Sequence, residues 1–211
     1  HIRRAVAITD AVFEEILPQM VPGVREVDLA AEIEYRMRRR GSERVAFNAI
    51  VVSGRRSALP HGEPGENRLQ AGDLVTMDFG ARVEGYCSDF TRTVVLGTAT
   101  EKQREIYQIT LKAQQAAERA VRAAKSSREV DAVARQIIAQ AGYGEFFGHG
   151  LGHGLGLEVH EAPKLSPKSE AVLEAGMVVT VEPGIYLPEM GGVRIEDVVV
   201  VREDGCEVLT Q

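Results

Sequence analysis

AGDLVTMDFG at residues 71–80 aligns without gaps to AGMVVTVEPG at 175–184, with Ala, Gly, Val, Thr and Gly identical in place. Both runs are apolar and β-branched, opened by Ala-Gly and closed by Gly, which is the pattern of a short buried strand between turns. The alignment sets Asp78 opposite Glu182. Further out, Arg25-Glu26-Val27-Asp28 recurs as Arg128-Glu129-Val130-Asp131, and His61, three residues before Pro64, matches His160, three before Pro163. Short Val/Thr strands flanked by Gly often look alike, so a single match would mean little. Several matches in one order at nearly one offset read as an internal duplication.

The segments between these strands repeat as well. Apolar residues at Ile2, Ala5, Val6, Val12, Phe13, Ile16 and Leu17 predict an amphipathic helix over 2–17, ended by Pro18, Pro22 and Gly23. A second helix is expected over 27–40, where Arg38, Arg39 and Arg40 suit a solvated helix C-terminus before Gly41. Strand-like segments follow at 45–52, 73–79 and 91–96. Thr100 with Gln103 reads as a capping box opening a long helix to about residue 124, and 129–141 as another, closed by Gly142. Strands return at 177–182 and 193–201. Helix, helix, strands therefore occurs twice, an α+β arrangement of two halves packed pseudo-symmetrically around one site.

Composition narrows the function. With 211 residues, 44% hydrophobic and 27% charged, the chain is an ordinary globular protein of one generous domain or two small ones. No apolar run reaches the ~18–20 residues that cross a bilayer, and the N-terminus has no signal-peptide core. A net charge of −6 is the wrong sign for a general nucleic-acid binder, so neither nucleic acid nor membrane is expected as a partner. Two cysteines, Cys87 and Cys206, cannot staple a chain this long, which points to a reducing, cytoplasmic setting. The chain opens at His1 rather than Met and reads as part of a longer protein.

Acidic residues interrupt the apolar strands. Asp78 ends LVTMD, Asp89 lies 11 positions on, Glu182 ends MVVTVE, and Glu196 and Asp197 sit within GVRIEDVVVV. A carboxylate among buried β-branched residues is costly unless paired or bound to a cation. Any one of them alone would be a strand-end residue facing water; on repeat-related strands beside a histidine cluster, a metal site is the economical reading. That cluster is FFGHGLGHGLGLEVHE, holding His149, His153 and His160. Its glycines argue against a zinc-binding helix, and the absence of a lysine or dinucleotide fingerprint argues against a phosphate loop. With His61, four of the five histidines lie near these motifs.

Asp78, Asp89, His153, Glu182 and Glu196 stand in the order and approximate spacing of the five-ligand signature of the pita-bread dinuclear metallopeptidases. That group contains the methionine aminopeptidases, the prolidases (Xaa-Pro dipeptidases) and the aminopeptidases P, and the chain resembles it over essentially its whole length. GHGLGHGLGLEVHE (148–161), TVEPGIY (180–186) and GVRIED (192–197) resemble the proline-specific branch. Methionine aminopeptidases usually have one histidine at this step and lack the GxRxED form. The resemblance implies a pita-bread fold, with helices of each half packed on antiparallel sheet. It also implies a single catalytic domain over 1–211, with halves of about 1–98 and 99–211 sharing one cleft. Proline-specific relatives normally carry a separate N-terminal domain; none precedes His1, as in a catalytic fragment. A homodimer is the assembly such relatives allow.

The implied activity is hydrolysis of the N-terminal Xaa-Pro bond of dipeptides or short peptides by water activated between two divalent ions. Four carboxylates and one imidazole suit Mn2+ best, with Co2+ or Zn2+ as alternatives. By resemblance, Asp89 and Glu196 bridge the ions, Asp78 completes one, and His153 with Glu182 completes the other. Glu182 would carry the proton to the leaving nitrogen, His160 would steady the tetrahedral intermediate, and His61 and His149 would line the proline side and donate to substrate. Arg194 would anchor a bridging carboxylate or a substrate carboxylate, or form only a strand salt bridge. Tyr86 and Tyr186 read as packing residues, and Cys87 as a small buried one. A metal-free creatinase-like amidinohydrolase and an inactive protein-binding module use the same fold, but both would be expected to have lost ligands that are all retained here. Asp89→Ala should abolish both metal binding and turnover, checked by metal analysis after dialysis and by an Xaa-Pro hydrolysis assay.

Overall fold

The computed structural model describes all 211 residues. In the first half, α1 (Ile2–Ile16) and α2 (Glu26–Arg39) precede β1 (Ile50–Ser53) and β2 (Leu74–Asp78), the small hairpin β3 (Arg82–Val83) and β4 (Tyr86–Cys87), and β5 (Thr91–Val95). In the second, α3 (Glu101–Ala120) and α4 (Ser127–Gln140) precede β6 (Gly152–Gly154), β7 (Glu161–Leu165) and β8 (Val178–Val181). The chain closes with β9 (Gly184–Leu187), β10 (Gly191–Arg194), β11 (Asp197–Val201) and β12 (Cys206–Val208).

The duplicated runs become the strands β2 and β8. Beside the two-stranded pairs β3–β4 and β9–β10, one sheet has the order β1-β2-β5 and another β12-β11-β8-β6-β7, all antiparallel. Each duplicated strand thus has a partner from just before it on one side and from just after it on the other. Registers correspond too: Met77 faces Arg92 across β2–β5, and its counterpart Val181 faces Asp197 across β8–β11. Two apolar cores lie under the two helix pairs. Ile33, Met37, Met77, Phe79 and Phe90 are fully buried in the first, and Ile106, Ile138, Val179 and Val199 in the second. Each such side chain contributes about 1.5–3 kcal/mol relative to exposure.

Local signals set the helix ends. Thr100 and Gln103 form both bonds of the capping box, at 3.2 and 2.8 Å. The helix they open stops at Ala120 rather than near 124, because Val121 turns extended and the next backbone amides leave for tertiary partners. Ala123 N–H donates to the Arg202 carbonyl and Ala124 N–H, at φ +61°, to that of Leu173. The basic end of α2 is also less free than expected, since Arg36 and Arg40 both bind Glu15 of α1. The expected strand over 45–52 is regular only in β1. Residues before it bond instead to the hairpin segment, Glu43 N–H to Arg82 and Ala46 N–H to Gly80.

The segment 193–201 is not one strand but two. β10 pairs with β9, whereas β11 joins the large sheet. Between them the Glu196 N–H donates to the carbonyl of Thr91, in the other half, at 3.2 Å. The break places Glu196 at the seam between the halves.

Close approach of β6 and β8 requires glycine at 152, where a Cβ would overlap the Thr180 carbonyl. Gly152→Ala is expected to destabilise the fold by about 1–3 kcal/mol through overpacking, measured by urea unfolding, and to displace the neighbouring His153.

Candidate metal centre

Five chain segments converge on one cleft. Asp78 closes β2, Asp89 precedes β5, His153 lies in β6, Glu182 follows β8, and Glu196 fills the break between β10 and β11. Asp89, His153 and Glu196 are 5%, 8% and 1% exposed, and one ligand atom from each lies within 4.8 Å of the others. His153 Nε2 is 3.2 Å from Glu182 Oε1 and 3.6 Å from Asp89 Oδ2. All five residues line the same cavity.

The donor set fits divalent cations. Asp78 Oδ1 and Glu196 Oε1 are buried without any hydrogen-bond partner, a costly state for a carboxylate oxygen unless a cation faces it. Burial, reinforced by repulsion from the neighbouring carboxylates, pushes Asp89 and Glu196 well above the usual range. Burial also raises Asp78, against the pull of Arg194. Burial would raise Glu182 too, but the hydrogen-bonded His153 holds it below its ordinary value. The Nδ1 of His153 lies 3.0 Å from the Gly154 carbonyl, which must accept, so the other nitrogen, Nε2, is left aimed at the carboxylates.

Around this set is a layer of fixed donors. Arg194, 3% exposed, donates from Nη2 to Asp78 Oδ2 at 2.6 Å, from Nε to Thr91 Oγ1 at 3.2 Å, and from Nη1 to both the Pro60 carbonyl and Tyr186 Oη at 3.1 Å. Of the three expected uses, it is on Asp78 that the guanidinium sits, and not on Asp89 or Glu196. Thr91 Oγ1 donates to Glu196 Oε2 at 2.6 Å. Thr180 Oγ1 accepts from the His153 amide at 3.0 Å and donates to Glu182 Oε1 at 3.2 Å.

Tyr186 is not merely a packing residue. Its hydroxyl accepts from Arg194 and lies 2.8 Å from His149 Nε2. Its ring occupies space vacated by two glycines: a Cβ on Gly192 would come within 2.7 Å of Tyr186 Cδ1, and one on Gly184 would overlap the phenol. The glycines of EPGIY and MGGVR are the one local feature that marks the space this tyrosine fills. Thr91 and Thr180 carry no comparable mark to set them apart from Thr76 and Thr93, the other threonines of the strands.

His61, His149 and His160 open into the cavity, whose volume is about 900 Å3. The His160 ring centre is 4.2 Å from that of His153; burial, with charge on His153, lowers its pKa. Burial lowers that of His149 as well. With Nδ1 against the Gly150 carbonyl at 2.8 Å and Nε2 on Tyr186, both His149 nitrogens are engaged. It lines the cleft with its ring rather than with a free N–H. The fifth histidine, His1, lies apart, stacked on Tyr86. Cys87 is buried and unpaired.

Two α+β units, each a helix pair on an antiparallel sheet, with an acidic, imidazole-bearing centre at their seam define the dinuclear metal-dependent hydrolases of pita-bread type. Residues 1–203 match Metallopeptidase family M24, and the chain belongs to that family. It is 49% identical over 210 residues to the Xaa-Pro dipeptidase of Pyrococcus furiosus, covering 100% of this chain and 60% of the relative. The structure of an Xaa-Pro dipeptidase from Bacillus anthracis superposes with a TM-score of 0.98 at 51% identity, over 100% of this chain and 59% of that one. That of an X-Pro aminopeptidase from Thermotoga maritima gives 0.98 at 47%, over 100% and 60%. The expected pita-bread fold is therefore the observed one. The chain spans about 60% of the length of the relatives it matches. No helix is long and apolar enough to cross a membrane.

The raised carboxylates have a consequence for stability. Unfolded Asp and Glu titrate at about 3.9 and 4.3. Asp78, Asp89 and Glu196 bind their protons more tightly when folded, so in metal-free protein their stabilising effect is present at low pH and is lost as pH rises through the folded values. Glu182 acts in the opposite sense, losing stabilisation as pH falls. A divalent cation replaces the three protons, so the rise in Tm on adding Mn2+ should be larger at about pH 8 than at about pH 5. Melting curves of chelator-treated protein check this, and a pH-independent increment would place the cation elsewhere.

Proposed function

We propose that this chain is the catalytic unit of a metal-dependent exopeptidase that hydrolyses the bond between an N-terminal residue and a following proline in dipeptides or short peptides. Residues 1–211 act as one catalytic domain, since Asp78 and Asp89 come from the half ending near 98 and His153, Glu182 and Glu196 from the other. The observation that carries the reading is the shared cavity, in which a carboxylate centre with two orphaned oxygens is bordered by three further histidines. Relatives named for Xaa-Pro dipeptidase and X-Pro aminopeptidase activity support it. A metal-free amidinohydrolase or a binding module would leave those buried oxygens without a purpose.

Asp89 and Glu196 would hold two divalent ions jointly, Asp78 one of them, and His153 with Glu182 the other. Mn2+ suits this oxygen-rich set best, with Co2+ or Zn2+ as alternatives. When bound, the ions supply Lewis acidity for a water and for the scissile carbonyl. Glu182 would take a proton at its carboxylate and release it to the departing proline nitrogen. His160 stands at the open side of His153, where a neutral imidazole N–H can donate to the oxygen that gains charge. His61 and His149 bound the proline side, the latter as a fixed ring surface. Arg194 holds Asp78 in place rather than binding substrate. Two unpaired cysteines fit a cytoplasmic setting.

The test is hydrolysis of Xaa-Pro dipeptides, Xaa-Pro-Xaa tripeptides and Xaa-Ala controls by Mn2+-loaded protein. Cleavage confined to the proline peptides is expected, and the two proline lengths then rank dipeptidase against aminopeptidase. No cleavage of any proline peptide would overturn the reading. His160→Ala should lower kcat by about 10²–10³-fold, as for loss of an oxyanion donor, with unchanged metal content.

A further inference from the structure

Two carboxylates outside the cleft are as buried as those within it. Glu26 in α2 is 0% exposed and Asp131 in α4 is 1% exposed, and neither lines the cavity. We infer that they are positioning residues, each of which fixes, with one arginine, the loop carrying a cleft histidine: Asp131 and Arg135 for His149, Glu26 and Arg56 for His61. The inference rests on the proposed reading of the cleft as a peptide-binding site.

A carboxylate removed from water must recover its hydration through hydrogen bonds; Glu26 takes all of its bonds from the loop carrying His61, and Asp131 takes its own from Arg135 one turn along α4 and from the loop carrying His149. Arg135 binds Asp131 bidentately, Nε to Oδ2 at 2.9 Å and Nη2 to Oδ1 at 2.8 Å. The Leu151 amide donates to Asp131 Oδ1 at 3.0 Å. The same guanidinium donates to the carbonyls of Phe147 at 3.0 Å and His149 at 2.7 Å, and lies over the Phe147 ring at 4.2 Å. Residues 147, 149 and 151 are thus all tied to one ion pair. Between them stand Gly148 and Gly150, which bring wide backbone freedom and no side chain to restrain it. An external clamp is what such a segment needs if the His149 ring is to keep one position against Tyr186.

Glu26 performs the same task with different geometry. Its Oε1 accepts from Ser53 N–H at 2.8 Å, Ser53 Oγ at 2.9 Å and Asn67 Nδ2 at 3.1 Å. Its Oε2 accepts from Gly65 N–H at 3.2 Å and Arg56 Nε at 3.1 Å, and Arg56 Nη2 donates on to the Glu63 carbonyl at 2.6 Å. Both ends of the 53–67 segment therefore close on one carboxylate, with His61 between Arg56 and Glu63.

The duplication does not account for this likeness. Glu26 opens α2 where Ser127 opens α4, their amides bonded to the Asn67 and Ala171 carbonyls, and at this offset the position of Asp131 is filled in α2 by Ala30. The two clamps stand at different helix positions, so what the halves share is a loop to hold and not an inherited contact.

The test uses Mn2+-loaded protein carrying Asp131→Asn, Glu26→Gln or Arg135→Gln. Each should raise KM for an Xaa-Pro dipeptide about 10-fold while kcat falls less than about 3-fold, because ground-state placement of the substrate is what the ring surfaces set. Metal content should stay unchanged. Amide exchange should quicken at 147–151 for the first and third variants and at 54–66 for the second, and nowhere else. Arg135 is partly exposed, so its variant keeps the question open to test if a buried one fails to fold. An unchanged KM despite faster loop exchange would overturn the inference, as would exchange quickened throughout the chain with loss of metal. If the unaltered protein cleaves no proline peptide, it is the proposed reaction that fails, and the local exchange pattern alone then upholds or overturns the clamps.

Discussion

Four carboxylates and one imidazole are crowded, half-buried or buried, on one wall of a single cleft, and much of the fold around them follows from making that tolerable. Like charges at this separation in a poorly solvated site repel strongly. One buried cation, Arg194, is spent on Asp78, and His153 serves Glu182 and Asp89. Asp78 Oδ1 and Glu196 Oε1 are left with nothing. The arrangement is stable in its charged form only with further positive charge at the centre, which is why metal binding and the architecture of the halves cannot be separated.

The seam between the halves is built from the same groups. Thr91 of β5 binds Glu196, and Thr93 exchanges bonds with the backbone of Arg194, accepting from its N–H at 3.1 Å and donating to its carbonyl at 3.0 Å. Arg194 also reaches Pro60 beside His61, while Arg92 binds Asp197 at 2.8 Å. These contacts link residues about a hundred positions apart, so neither half presents a complete centre. The broken strand at Glu196 is the backbone's contribution: a continuous strand would have kept Glu196 in the ladder of one sheet, away from Thr91.

Much of this was legible beforehand, and for a physical reason. Strand ends, capping boxes and glycine stops are local, so β2, β8, the four helices and the Thr100 cap could be read from neighbouring residues. The acidic strand ends stood out because their chemistry contradicts their apolar surroundings. Where expectation and structure differ, the deciding partner is remote. The long helix ends early because the Leu173 and Arg202 carbonyls take the amides that follow it, and Tyr186 joins the site through His149 and through Arg194, which holds Asp78. The engagement of both His149 nitrogens depends on a hydroxyl 37 positions away.

The order of residues alone thus settled that there are two related halves, that acidic and histidine side chains were placed where apolar ones belong, and which family of folds the pattern resembles. Tertiary structure decided which oxygen is left without a partner, which carboxylate the buried arginine holds, and how histidine loops rich in glycine are kept still. A pattern records what each residue prefers, whereas pairing between distant buried charges depends on where the backbone finally brings them, and only the assembled halves determine that.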